Sequence, residues 1–207
     1  MMFKSVIFDW SGVVKDAVDA HLWVVNRMLE ELGGKEITLE ELKENWEQPY
    51  MIFWGKYFPD LTLEKEQELY FKTIVRTDCP KSNSYNGITA FIKKLYNGGA
   101  GLFVLSSDPK ETIFPEIMEY DLENHFKEVV FKIHDKYESL EELMRKHNLK
   151  KEETVFIGDS NHEIEAGKKA GIKTIAVTWG FCTEDKLKGL NPDYLVHNIK
   201  ELEEILL

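Results

Sequence analysis

Four stretches of this 207-residue chain set reactive side chains where an apolar run ends. "SVIFDWSGVV" climbs to Asp9 and passes on through Trp10, Ser11 and Gly12. "AGLFVLSSD" ends in the hydroxyls of Ser106 and Ser107. "EVVFKIHDK" leads into Lys132, His134, Asp135 and Lys136, and "TVFIGDSNHE" ends at Gly158, Asp159 and Ser160, with Glu163 just beyond. Merely solvated turns would accept any polar residues. A nucleophile-type acid, paired hydroxyls, a lysine and a second acid at four successive ends form a constellation that can handle a small anion. In an acidic chain such an anion needs a local cation, either a lysine or a metal.

The elements that position these groups follow from periodicity. Lys4–Asp9 reads as a short buried strand. From Ala17 to about Tyr70 the spacing turns helical, in "HLWVVNRMLEELGG", "TLEELKENWEQ" and "LTLEKEQELYFKTIVRT", with Thr38 and Glu41 forming a capping box. Cys79–Tyr85 reads as a linker. Helices are then expected over Gly87–Asn97, Lys110–Tyr120, Ser139–His147, Glu163–Ala170 and Ile199–Leu206. They alternate with strands at "AGLFVLSS", "EVVFKI", "TVFIGDS", "KTIAVTW" and "PDYLVHN". Alternation of this kind predicts an α/β fold, a doubly wound parallel sheet. The helical block is then an insertion after the first strand. Such sheets carry their chemistry at the carboxyl ends of the strands, where all four stretches lie.

The composition limits the function classes. With 43% hydrophobic and 30% charged residues the chain is globular, and its net charge of -11 repels a nucleic-acid backbone. Cys79 and Cys182 form no CxxC pair and no zinc spacing, so two reduced thiols are expected. No apolar stretch reaches the roughly 20 residues of a membrane helix. The first residues show no leader and run straight into a strand. A soluble cytoplasmic protein with no membrane or nucleic-acid partner is the expectation.

Taken in order, these motifs resemble those of the haloacid dehalogenase-like superfamily of phosphohydrolases. "DWSGV" matches Asp-x-Asp-Gly-Thr/Val, "LFVLSS" the strand ending in Thr or Ser, Lys136 the lysine ahead of a helix, and "GDSNHE" Gly-Asp-Ser-x-x-Asp. "AGIKTIAVTWGF" and "PDYLV" are similar to the family's closing segments, so the resemblance covers the whole chain. It implies a Rossmann-like core over 1–14 and 82–207, and a small helical cap over 15–81. It further implies a Mg²⁺-dependent phosphatase acting on a small phosphorylated metabolite. Asp9 would attack phosphorus to form an aspartyl-phosphate. Asp9, Asp159, Glu163 and the main-chain carbonyl of Ser11 would hold Mg²⁺, a hard cation that takes oxygen ligands. Ser106 and Lys136 would bind and balance the phosphoryl group, with Gly12 and Ser107 completing the substrate-facing set.

Two departures matter. Glu163 stands where the family has Asp. Ser11 stands where family phosphatases have the general acid-base, a role typically contributing roughly 10²–10⁴-fold. A substitute base is sought among His134, His162, Asp16, Asp19 and His21. Two other readings stay open. One is a phosphonatase-like carbon–phosphorus hydrolase using Lys43 or Lys56. The other is a protein that holds phosphate and Mg²⁺ but turns over weakly. Bland roles are assigned beside these. Asp108 is expected to cap the helix after Pro109, His134 and His162 are read as loop histidines, and the tryptophans mostly as core. Asp159 is preferred as a metal ligand over a helix cap, and Lys136 over Lys132, which is expected to lie inside a strand.

Overall fold

The computed structural model describes residues 3–207. Strands β1 (Ser5–Phe8), β2 (Gly101–Leu105), β3 (Glu128–Val130), β4 (Thr154–Gly158), β5 (Lys173–Val177) and β6 (Tyr194–Val196) form one sheet in the order β3-β2-β1-β4-β5-β6. Every pairing is parallel. The near-continuous apolar runs follow from burial of both faces. Successive side chains of a strand point to opposite faces. Accordingly Val6, Phe8, Leu102, Val104, Val155 and Ile157 join one core, while Ile7, Phe103, Leu105 and Phe156 join another.

Helices α5 (Ile88–Asn97), α6 (Lys110–Glu119) and α10 (Ile199–Leu206) cover the first face through Phe91, Ile113 and Leu202. Helices α7 (Lys136–Lys146) and α8 (Asn161–Ala170) cover the second through Leu140, Leu143 and Ala166. A short α9 (Glu184–Gly189) precedes β6. The chain order reverses at β1, which lies between β2 and β4, so the residue after β1 stands at the switch point of the sheet.

Between β1 and α5 the chain forms α1 (Val18–Glu31), α2 (Leu39–Asn45), α3 (Met51–Tyr57) and α4 (Leu63–Ile74). Val25, Met28, Leu42, Phe53 and Leu69 pack together there, in a cluster that continues into Ile164, Phe181 and Leu187 of the α/β layers. The segments entering and leaving this block run side by side. Tyr85 N–H donates to the Val14 carbonyl at 3.0 Å, and Asp16 N–H to the Asn83 carbonyl at 2.8 Å.

The expected elements are present with shifted ends and two additions. "MIFWGKY" is the separate helix α3, and α9 was not foreseen. Helix α7 starts at Lys136 rather than Ser139, because the Asp135 carboxylate accepts from the Tyr137 and Glu138 amides and caps it there. The strand expected through "EVVFKI" stops at Val130. Lys132 takes φ 55, and it and Ile133 donate to the carbonyls of Asp108 and Ser106. Lys132 therefore lies in a turn, not within a strand.

The helical block contains a buried acid. Glu66 accepts from Trp54 Nε1 at 3.1 Å. Burial lifts its pKa to about 7, against the lowering effect of that hydrogen bond. An acid raised above its unfolded value costs stability as pH climbs from about 4.5 through 7, and the full cost remains above that. Glu66→Gln keeps an acceptor for Trp54 and removes the charge. It is expected to stabilise the protein by roughly 1–3 kcal/mol at pH 8 and by little at pH 5. Thermal melts at both pH values check this, and equal gains at the two would contradict it.

Candidate active site

Asp9 follows β1 directly, and its N–H donates to the Ile157 carbonyl at 2.9 Å, which fixes the residue at the switch point. Lys136 opens α7 and is 1% exposed. Its Nζ lies 2.7 Å from Asp9 Oδ1 and also pairs with Glu163 Oε1. Glu163 Oε2 accepts from Ser160 N–H at 3.1 Å and from Ser160 Oγ at 2.7 Å. The sequence Ser160-Asn161-His162-Glu163 thus serves as the capping box of α8 while also steadying the lysine.

Asp159 is not the cap. Its Oδ2 accepts from Phe181 N–H at 2.6 Å, and Ser160 caps α8 instead. Two glycines make room for it. A Cβ at Gly12 (φ +88) or at Gly180 would fall well inside van der Waals contact with the Asp159 carboxylate. Gly180→Ala is therefore expected to displace Asp159 and, where the acid cluster holds a divalent cation, to weaken Mg²⁺ affinity by about 10–100-fold, as loss of support around a ligand does. Gly189→Ala, which meets nothing within 4 Å, should leave it unchanged. Titration of Mg²⁺ by calorimetry reads both, and equal affinities would contradict the account.

One carboxylate oxygen each from Asp9, Asp159 and Glu163 lies within 4.8 Å of the others, and all three residues are buried. Burial raises the Asp9 pKa, Lys136 lowers it, and Glu163 raises it again. Asp159 is pushed well up, by burial first and then by the Glu163 and Asp9 charges. Burial works against the Lys136 ammonium, but Asp9 and Glu163 outweigh it and hold its pKa above the ordinary lysine value. With every group ionised, one positive charge faces three negative ones. A divalent cation on oxygen ligands would balance the remainder. The donor set therefore fits Mg²⁺.

Beside this cluster the hydroxyls of Ser11 and Ser106 both donate to Asp108 Oδ2, at 2.7 and 3.1 Å. The expectation that Asp108 caps α6 is corrected. That helix has Pro109 at its N-cap position and no side-chain cap bond. Ser107 is half-buried next to Ser106, and Gly12 closes the loop by donating to the Lys15 carbonyl at 2.9 Å. Lys15 is buried and pairs with Glu116 at 2.5 Å.

His134, Asp16 and Asp19 are exposed. His162 Nε2 accepts from the Lys136 amide at 3.2 Å, and burial pushes its pKa down to about 4, so it is a neutral support rather than a loop histidine. His21 packs edge-on to Trp46 and Phe181, and burial likewise takes it to about 4. Lys56 is tied to Glu47 at 2.9 Å on the surface of the helical block. Trp10, Trp46 and Trp54 are core residues. Cys79 and Cys182 are free thiols. Among the described residues no helix is long and apolar enough to cross a membrane.

The family model for haloacid dehalogenase-like hydrolases matches residues 6–177. The chain belongs to that family. It is 30% identical over 127 residues to the pyrophosphatase PpaX of Halalkalibacterium halodurans, an alignment spanning 59% of each chain. It is 23% identical to a phosphoglycolate phosphatase of Vibrio parahaemolyticus, over 98% of this chain and 96% of that one. In fold it is similar to a predicted phosphatase from Clostridium acetobutylicum, with a TM-score of 0.86, 22% identity and coverage of 100% and 99%.

Proposed function

We propose that this chain is a Mg²⁺-dependent phosphohydrolase that acts on a small phosphorylated metabolite through an aspartyl-phosphate on Asp9. The observation that carries the reading is the convergence of Asp9, Lys136, Asp159 and Glu163 at the switch point of the sheet. Asp9 and Asp159 would hold the cation, with Glu163 beside them anchoring Lys136. Mg²⁺ would supply electrophilic polarisation of the phosphoryl oxygens.

The chain's own residues supply the remainder. Lys136 holds the Asp9 carboxylate at 2.7 Å and balances charge as the phosphoryl group approaches. Ser106, Ser107 and Gly12 present polar groups to that phosphoryl group. Residues 15–81 act as a cap. Asn161 ties it down by accepting from the Gln48 amide at 3.1 Å and donating to the Gln48 carbonyl at 2.9 Å. Lys186 does the same from α9, at 2.5 Å from the Trp46 carbonyl and 2.9 Å from that of Glu44. A cap held over the switch point excludes water from the reacting centre.

The names of the two relatives point to phosphate esters and phosphoanhydrides as the first compounds to try. The test is phosphate release from a panel of small phosphate compounds. Release that stops with EDTA and returns with Mg²⁺ supports the reading. No release from any of them contradicts it. A carbon–phosphorus hydrolase that uses Lys56, one of its two candidate lysines, is less favoured, because Lys56 is ion-paired with Glu47 on the surface.

A further inference from the structure

Position 11 carries a hydroxyl where this mechanism calls for a carboxylate, and the structure brings a carboxylate to it from another strand end. Ser11 Oγ donates to Asp108 Oδ2 at 2.7 Å, across 97 positions of sequence. The same oxygen accepts from Ser106 Oγ at 3.1 Å. The backbone of Asp108 is fixed as well. Its N–H donates to Ser106 Oγ at 3.1 Å, and its carbonyl accepts from Lys132 N–H at 2.8 Å.

A helix-capping role is excluded by the absence of any side-chain cap bond on α6. Asp108 is half-buried. Its field reaches Lys15, where burial disfavours the ammonium but Asp108 and Glu116 together hold its pKa up. Neither His162 nor the half-buried His21 competes for the role. One is locked by Lys136 and the other is enclosed by aromatic rings.

We propose that Asp108 is a further catalytic residue, replacing the proton-transfer carboxylate that Ser11 does not provide, with the Ser11 and Ser106 hydroxyls holding it in place. The proposal rests on the phosphohydrolase reading above. In the first step a carboxylate oxygen of Asp9 bonds to phosphorus and the bond from phosphorus to the leaving oxygen breaks. The leaving oxygen keeps the electron pair and takes a proton handed over by Asp108. In the second step a water oxygen bonds to phosphorus and gives its proton to the Asp108 carboxylate. The phosphorus–Asp9 bond breaks and its electron pair returns to Asp9. Alcohol and phosphate leave, and the proton taken from water replaces the one that Asp108 handed to the leaving oxygen.

The test follows turnover of p-nitrophenyl phosphate and of an alkyl phosphate by the native protein, Asp108→Asn, and the double variant Ser11→Asp with Asp108→Asn. Thermal melts confirm folding in each. Asp108→Asn should lose steady-state turnover by roughly 10²–10⁴-fold, the usual contribution of a general acid-base. Nitrophenolate needs no proton to depart, so this variant should still give a stoichiometric burst followed by near-arrest, with phosphate held on Asp9. The alkyl ester should give no burst. The double variant, with its carboxylate moved to position 11, should recover most of the lost turnover.

Asp108→Ser keeps a partner for the Ser11 hydroxyl and should fail in the same way, which covers the case of a poorly folded Asn variant. Turnover by Asp108→Asn within about three-fold of native, beside an active native protein, overturns the role of Asp108 alone. A native protein that releases no phosphate from either substrate or from any compound of the panel above overturns the phosphohydrolase reading and this role with it.

Discussion

Asp9→Asn is expected to abolish phosphate release, by at least about 10³-fold, while the protein stays folded. Losses of that size follow removal of a nucleophile whose neighbours remain in place. Asparagine matches aspartate in shape, and its amide oxygen can still accept from Lys136, now 2.7 Å from Asp9 Oδ1. It lacks the negative oxygen that bonds to phosphorus. The Asp9 carboxylate is also one of the three acids grouped around the cation site, so Mg²⁺ should bind more weakly. Turnover assays with a thermal melt check this. Phosphate release by the variant within ten-fold of native would remove Asp9 from the chemistry.

Lys136→Met is expected to cost both stability and activity. The ammonium is 1% exposed and bridges two buried carboxylates, Asp9 and Glu163. Removing it leaves those charges without a partner, and breaking a buried pair in this way typically costs about 3–5 kcal/mol. For a chain of this size that corresponds to a fall in Tm of roughly 6–20 °C. The pH dependence separates this from a simple packing defect. In the native protein the lysine's folded pKa lies above its ordinary value, so its stabilisation is fully present at neutral pH and is lost only as pH rises through that higher value.

In the variant Asp9, already raised by burial, rises further, and Glu163 loses the lysine that holds it below its ordinary value. Such groups destabilise progressively as pH climbs past their unfolded values, so the deficit should be larger at pH 8 than at pH 5. Melts at both pH values read the difference. Phosphate release should fall at least about 10²-fold, as when one preorganised charge is removed from an active site. An unchanged Tm at pH 8 would show that the lysine does not stabilise the acid cluster.

The sheet and the acid cluster were legible in the sequence for one physical reason. A parallel sheet buried on both faces writes its strands as apolar runs, and three of these runs are followed directly by Asp9, Ser106 and Asp159. Asp9, Ser106 and Asp159 could be named because a single local rule places them, whereas Lys136 opens α7 beyond the turn after β3 and was named from the resemblance. Asp108 was misjudged because its partner, Ser11, is 97 positions away. A local reading sees an acid before Pro109 and assigns a helix cap. The one signal in the sequence was the coincidence of a missing carboxylate at position 11 and an extra one two residues past Ser106.

Helix α3 was overlooked because "MIFWGKY" carries large apolar residues around much of its surface and has no side-chain cap to mark its start. Lys132 looked like part of a strand because "EVVFKI" alternates well. Its left-handed φ of 55 arises from hydrogen bonds to the loop after β2, which no window of sequence contains. The work of Glu163 in supporting Lys136 was likewise invisible, since only the fold brings α8 against α7.

The central claim is that Asp9 carries the phosphoryl group. The most direct test is to react the protein with Mg²⁺ and p-nitrophenyl phosphate, quench in acid within the first turnover, and map phosphorylated peptides by mass spectrometry. The account predicts a phosphoryl group on Asp9, faint in the native protein, strong in Asp108→Asn and missing in Asp9→Asn. Efficient phosphate release with no phosphoryl group on Asp9 at any quench time, in the native protein or in Asp108→Asn, would contradict it.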